Sequence, residues 1–80
     1  MKGNDYTAVT VTEKGEIFFN KEKVTAAKLV ERLKELKAKT GDPALVLNAD
    51  DKAMFGRAIF VLDEIRKLGI KKVAIETRQP

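Results

Sequence analysis

The chain has 80 residues, of which 44% are hydrophobic and 35% are charged, and its formal net charge is +4. This composition predicts one small domain, and the absence of Cys and His excludes disulfides, thiolate metal sites and the commonest metal ligand and general base. No apolar run approaches the ~20 residues that span a bilayer, so we expect a soluble domain without membrane contact.

The first elements predicted in chain order are two strands that form a β-hairpin. Residues 7–12, TAVTVT, alternate apolar and Thr side chains, so Val9 and Val11 are predicted to point inward. Gly15 can take the left-handed conformation that closes a short turn, and residues 17–19, IFF, then form the second strand. The NKEK sequence that follows is predicted to be a turn.

A first helix is predicted over residues 26–39. Thr25 is placed as its N-cap, since a hydroxyl at this position can accept a hydrogen bond from a free backbone N–H group. Gly41 suits the C-cap, and Pro43 cannot continue a helix. The charged residues that fill the rest of the helix indicate a solvated face rather than a nucleic-acid surface, because no aromatic side chains are interleaved with them.

The second half of the chain is predicted to contain a strand, a helix and a further strand. Residues 44–49, ALVLNA, are nearly all apolar and predict a central strand. A helix is predicted over about 53–68, and residues 70–77, IKKVAIET, predict the last strand, with Val73 and Ile75 turned inward. The buried face of the second helix is predicted to consist of Phe55, Ile59, Leu62, Ile65 and Leu68.

The predicted fold class is α+β, an α/β two-layer sandwich with the order β-β-α-β-α-β in a single domain over residues 1–80. The sheet is predicted to be mixed and four-stranded, with two helices on one face. Both helical crossovers are predicted to be right-handed units that join parallel strands. The other sheet face is predicted to be mixed in polarity and to carry Thr10, Thr12, Phe18, Asn48 and Glu76.

Three polar side chains, Asn48, Asp50 and Asp51, follow the central strand. Calcium needs 6 to 8 oxygen ligands, which this loop does not supply at EF-hand spacing, and two adjacent acids usually diverge from one another. The acids are therefore interpreted as caps of the second helix, where a carboxylate satisfies free N–H groups and the helix dipole. We predict no catalytic residue, no cofactor and no metal site.

The ordered set of motifs resembles the periplasmic domain of the ExbD/TolR family over about residues 8–78. The segments that carry the resemblance are GEIFFNKEKVT and LNADDKAMFGRAIFVLDEIRKLGIKKVAIET. The residues that match in order and spacing are Gly15, Ile17, Asn20 and Val24 in the hairpin, Ala49 and Asp50 at the strand exit, Phe55, Val61, Leu62 and Asp63 in the second helix, and Gly69, Ile70, Lys72 and Val73 before the last strand.

The resemblance implies a subunit of a motor driven by the proton-motive force. Such a subunit would have one transmembrane helix with a proton-coupling Asp and would hold this domain in the periplasm. It would partner ExbB or TolQ, couple to TonB or TolA in transport or envelope maintenance, and associate with peptidoglycan in TolR-like cases. Since the transmembrane anchor is absent from this sequence, we expect the chain to be a non-enzymatic docking domain.

A second hypothesis concerns the outer faces of the helices. Phe60 is predicted to face solvent, either as an isolated surface residue or as part of an apolar patch. The patch would consist of Ala27, Ala53, Met54 and Phe60 and, together with Arg57, could bind a partner. This patch leaves open an engineered alternative, in which a scaffold derived from the family has a redesigned helix face. Such a scaffold would be the dimeric component of a self-assembling particle with a designed second component.

The last strand is predicted to lie at an edge of the sheet and to form a homodimer. Its backbone N–H and C=O groups could pair with a second copy, which would add buried surface to a very small domain. The predicted dimer edge consists of Lys72, Val73, Ala74, Ile75 and Glu76.

Overall fold

The structure, a computed structural model, describes residues 6–50 and 55–78. It contains a five-stranded sheet in the order β3-β2-β1-β4-β5 and two helices. The α+β class is confirmed, but the prediction of four strands is wrong by one. The elements in chain order are β1 (Thr7–Val11), β2 (Ile17–Phe19), β3 (Glu22–Val24), α1 (Ala26–Thr40), β4 (Ala44–Asp50), α2 (Phe55–Lys67) and β5 (Lys72–Arg78).

The additional strand is β3, within a segment that was predicted to be a turn. It pairs antiparallel with β2, with Phe19 opposite Glu22. Asn20 makes this tight reversal possible because it adopts a left-handed backbone conformation, with φ of 58°. Its side-chain oxygen also accepts a hydrogen bond of 3.1 Å from the N–H of Ala8.

The new strand corrects the predicted chain path. β1 pairs antiparallel with β2 and parallel with β4, so β2 and β4 run in opposite directions. The crossover through α1 therefore starts from β3 and not, as was predicted, from β2. Because β3 is antiparallel to β2, it runs in the same direction as β4, so this crossover still joins two parallel strands. The second crossover also joins parallel strands, since β5 pairs parallel with β4.

Both helices pack on one face of the sheet, as predicted. The side chains that alternate toward this face in β1 and β4 share a single core with apolar residues of α1 and α2, which removes the apolar stripe of each helix from water. The buried residues of this core are Val9, Val11, Ile17, Val24, Leu29, Leu33, Leu45, Leu47, Val61, Ile65 and Ile70.

The ends of α1 agree with the prediction. The Thr25 hydroxyl accepts a hydrogen bond of 3.1 Å from the N–H of Lys28, which satisfies one of the free donors of the first turn. Gly41 lies at the C-cap with φ of 80°, and its N–H donates to the carbonyl of Lys37. Glycine adopts this conformation without the steric cost that a Cβ atom would bring.

The rotation of α2 about its axis differs from the prediction. Ile65 is completely buried, as predicted, but so is Val61, whereas Ile59, predicted to be buried, is 46% exposed. Phe60, predicted to face solvent, is partly buried and packs against the core. The helix has apolar side chains around more than one face, so its periodicity alone does not determine which of them meets the sheet.

Candidate functional site

The outer side of β5 is the candidate interaction site. β5 runs along β4 over residues 72–78, and within residues 6–50 and 55–78 no strand lies on its other side. Every second backbone unit of such an edge strand directs its N–H and C=O groups away from the sheet. Among the described residues, the last strand therefore lies at an edge of the sheet, as predicted.

The side chains of β5 divide into two chemically different rows. Val73 and Ile75 align with Leu45 and Leu47 of β4 and thus belong to the helix-covered side of the sheet. Val73 is partly buried against the core, as predicted, but Ile75 is 58% exposed, so its predicted burial is wrong. The reason is its edge position, because no further strand covers the outer flank of its side chain.

An open groove of about 590 Å³ runs between α2 and β5 on the helix-covered side. Its lining residues are mostly apolar and include two cations, Arg66 and Lys71. Neither cation forms an ion pair in the part of the chain that the structure describes. Within residues 6–50 and 55–78, this edge therefore combines a strand side that no other strand covers with exposed apolar surface. The lining residues are Leu62, Arg66, Gly69, Ile70, Lys71, Val73 and Ile75.

The opposite row of β5 lies on the face of the sheet that the helices leave open. It carries Lys72, Ala74 and Glu76, which align with Ala44, Val46 and Asn48 of β4. Lys72 is 3.2 Å from a carboxylate oxygen of Asp42, and both side chains are more than half exposed. This ion pair lies in water, where such pairs contribute little to stability. The charge of Lys72 thus remains accessible to a partner.

The open face of the sheet continues inward as a row of mixed polarity. Phe18, Thr10, Asn48 and Glu76 align across β2, β1, β4 and β5. The predicted composition of this face is therefore confirmed for these four residues. Thr10 and Asn48 are polar and Glu76 is charged, so this face differs from the apolar core on the other side of the sheet.

Two surface side chains, Glu16 and Lys67, have pKa values shifted by nearby groups of opposite charge. The pKa of Glu16 is lowered, chiefly by a hydrogen bond from the Lys23 ammonium at 2.9 Å and then by its charge. The pKa of Lys67 is raised by its hydrogen bonds to Glu64 and then Asp63. These groups are at the surface, so the shifts arise from partners in water and not from a buried reactive centre.

The structure places the acidic stretch only in part. Asn48 is on the open face, Asp50 is the last residue of β4, and Asp51 lies outside the described residues. Their role as caps of α2 therefore stays a prediction. Among residues 6–50 and 55–78, no group of three or more Asp or Glu side chains has an arrangement that could hold a metal ion.

The predicted helix patch is divided by the structure. Ala27 is exposed in the first turn of α1, and Arg57 and Phe60 are partly buried in α2. Ala53 and Met54 lie outside the described residues. The role of these residues in an interface stays a prediction, but contact of Phe60 with the core removes the main reason for inferring a redesigned helix surface.

Two exposed apolar residues, Ile59 and Ile75, were not predicted to be at the surface. The alternating pattern of β5 and the periodicity of α2 both assigned them to the core. The signal that could have identified Ile75 is the combination of a terminal strand position with flanking charges, since strands at sheet edges commonly carry charged side chains.

The described residues form a small α+β domain with a single apolar core and with β5 at one edge of its sheet. The sequence model of the family described as Biopolymer transport protein ExbD/TolR matches residues 2–79. The chain therefore belongs to the ExbD/TolR family, as its motifs predicted.

A curated relative, Biopolymer transport protein exbD2 of Vibrio cholerae serotype O1, is 28% identical over 72 residues. The match covers 90% of this chain and 54% of the relative, so the chain spans about half the length of the curated protein that it matches. Neither helix in the described part of the chain combines the length and apolar character required to cross a bilayer.

Proposed function

We propose that this chain is the dimeric, non-enzymatic docking domain of a transport energy-transduction subunit. The observation that carries the proposal is that, in the part of the chain that the structure describes, no strand pairs with the outer side of β5, beside the exposed Ile75 side chain. Pairing of two such edges would satisfy backbone groups and bury apolar surface in one step. A domain of this size gains proportionally more from such burial than a large domain does.

Membership of the ExbD/TolR family suggests where this domain is located and which proteins it docks with. A protein of the ExbD/TolR type would hold the domain in the periplasm and associate with an ExbB- or TolQ-type subunit. The domain would contact a TonB- or TolA-type protein there, and peptidoglycan is a further candidate ligand. No residue of this chain is assigned the proton-coupling step, which the proposal places in a transmembrane helix of the parent protein.

The chemistry of the side chains supports a binding role rather than catalysis. The chain has neither His nor Cys. Its best-defined carboxylate contacts are ion pairs with Lys or Arg at the surface, such as Glu16 with Lys23. A general acid or base instead needs a pKa near the working pH and a position beside a bound substrate.

Sedimentation velocity of the unmodified chain tests the dimer. We expect a dimer at micromolar concentration, and Ile75→Lys should yield a folded monomer because the side chain is already 58% exposed. Ala74→Pro should split the dimer as well as weaken the sheet, since Pro lacks the N–H donor and is restricted in conformation. Ala74→Thr is the matched control, because it retains the N–H group and favours a strand.

A clean monomer of the unmodified chain at high micromolar concentration would contradict the proposed dimer. Circular dichroism of each variant separates lost pairing from lost folding. Binding of the dimer to a purified TonB- or TolA-type periplasmic fragment then tests docking, and loss of this binding in Ile75→Lys but not in Ala27→Lys would locate it at β5. Equal binding by both variants would place docking elsewhere.

A further inference from the structure

The charges of β5 are arranged symmetrically about one residue. Ala74 has Val73 and Ile75 on either side, and these are followed outward by Lys72 and Glu76. The two charges are opposite in sign and lie on the same face as Ala74, because side chains two residues apart in a strand share a face. A strand with this pattern is complementary to a second copy of itself in the reverse direction.

We infer that β5 pairs antiparallel with β5 of a second copy, with the two Ala74 residues opposite one another on the two-fold axis. This inference rests on the proposed dimer and specifies its register. Lys72 of each chain then faces Glu76 of the other, which gives two cross-strand ion pairs on the open face. Opposite charges at directly opposed positions stabilise an antiparallel pair.

The same register also places apolar side chains of the two chains opposite one another. Val73 of each chain lies opposite Ile75 of the other, so the exposed flank of Ile75 is covered by the second copy. All helices remain on one side of the continuous sheet, because directly opposed residues of an antiparallel pair point to the same face. The two α2–β5 grooves would then adjoin one another across the axis.

Other registers lose this complementarity. A shift of two residues toward the start of β5 places Glu76 opposite Ile70 and Lys72 opposite Ala74. A shift of one residue exchanges the two faces and places the charged Lys72 opposite Ile75. Only the register centred on Ala74 aligns both charge pairs and both apolar pairs. The Asp42 contact of Lys72 does not prevent this pairing, because it is a surface contact and an ammonium group has three donors.

A charge-reversal pair tests the register. Lys72→Glu places Glu opposite Glu in a homodimer, and Glu76→Lys places Lys opposite Lys. We expect each variant to dimerise roughly tenfold to a hundredfold more weakly than the unmodified chain, because two attractive pairs become repulsive. Added salt should reduce this difference through screening.

The mixture of the two variants provides the decisive measurement. The Lys72→Glu chain carries carboxylates at positions 72 and 76, and the Glu76→Lys chain carries ammonium groups at both, so each opposed pair in a heterodimer is attractive. The mixture should therefore form a heterodimer by native mass spectrometry. Lys72→Gln is the matched control for loss of the Asp42 contact without added repulsion. Statistical mixing of the two variants, with no preference for the heterodimer, would overturn the register.

A cysteine variant tests the same geometry independently. The chain has no Cys, so Ala74→Cys introduces a single thiol. Opposed Cα atoms in an antiparallel pair are about 4.5–5.5 Å apart, which is within the range of a disulfide. Mild oxidation should therefore cross-link Ala74→Cys rapidly. Lys72→Cys should cross-link slowly, because four residues at about 3.3 Å each separate its two copies by about 13 Å.

The outcomes separate this inference from the proposed function. A monomeric unmodified chain would remove both the dimer and its register. A stable dimer that cross-links at least as fast through Lys72→Cys as through Ala74→Cys would retain the dimer and overturn the register. A dimer that shows both the heterodimer preference and rapid Ala74→Cys cross-linking would establish it.

Discussion

Alanine substitutions at two adjacent positions of α2 test how this helix is rotated about its axis on the sheet. Phe60 packs against the core, whereas its neighbour Ile59 is 46% exposed. A fully buried Phe→Ala change costs about 3–5 kcal/mol, so a partly buried ring should cost about 2 kcal/mol. Ile59→Ala should cost about 0.5 kcal/mol, because about half the side chain is already in water and Ala is the better helix former.

The expected difference is large relative to the stability of the domain. A chain of this size has a free energy of unfolding of about 4–12 kcal/mol, and its urea dependence should be about 1 kcal/mol per molar. Phe60→Ala should therefore lower the urea midpoint by about 2 M, and Ile59→Ala by about 0.5 M or less. Both variants should be compared by circular dichroism at the same chain concentration.

The reverse order of effects would refute this assignment. If Ile59→Ala were the more destabilising change, α2 would present Ile59 to the core, and Phe60 would be the solvent-facing residue that its position in the sequence first indicated. Equal and small effects would show that neither side chain contributes much to packing.

Three further predictions concern the turns and charges of the first half of the domain. Thr25→Ala should lower stability by about 1 kcal/mol in a thermal melt, because the N–H of Lys28 loses its cap, and Thr25→Ser should not. Asn20→Val should destabilise by about 1–2 kcal/mol through its positive φ, with Asn20→Gly less affected; equal melting temperatures would contradict this reasoning. Carboxyl NMR titration should give Glu16 a lowered pKa that Lys23→Met returns toward normal, and the associated stability should be present above the unfolded-state pKa and be lost as pH falls through the folded-state pKa.

Local signals in the sequence predicted the features that depend on neighbouring residues. Thr25 and Gly41 identified the ends of α1 because a side-chain acceptor and a left-handed conformation each act within one turn. The hairpin between β1 and β2 was predicted for the same reason, since alternation and a closing Gly15 are both local. These features hold irrespective of how the helices later pack on the sheet.

Features that depend on distant packing were predicted less well. β3 has only three residues, two of them exposed and charged, so it resembles a turn until β2 provides its hydrogen-bond partner. Ile75 has the alternation of a buried residue, but its exposure depends on whether a further strand lies beside β5. The rotation of α2 depends on the shape of the sheet surface beneath it, which sequence periodicity does not contain.

The same limit applies to the candidate site. The edge position of the last strand was predicted. The exposed apolar groove beside it was not, since it is formed by α2 and β5 together. The opposite charges of Lys72 and Glu76 indicated a pairing register only after the structure placed them on one face of a strand at the sheet edge.

The order of the strands across the sheet also predicts differences in how fast their amide protons exchange with solvent. Among the described residues, β1 pairs with a strand on each side, whereas β3 and β5, at opposite ends of the sheet, each pair with one strand. Amide protons of β1 should therefore exchange with solvent only in rare global openings, and those of the two outer strands in frequent local ones. If two chains pair through β5 as proposed, its amides are hydrogen-bonded to the second copy for part of the time, and β5 should then exchange more slowly than β3.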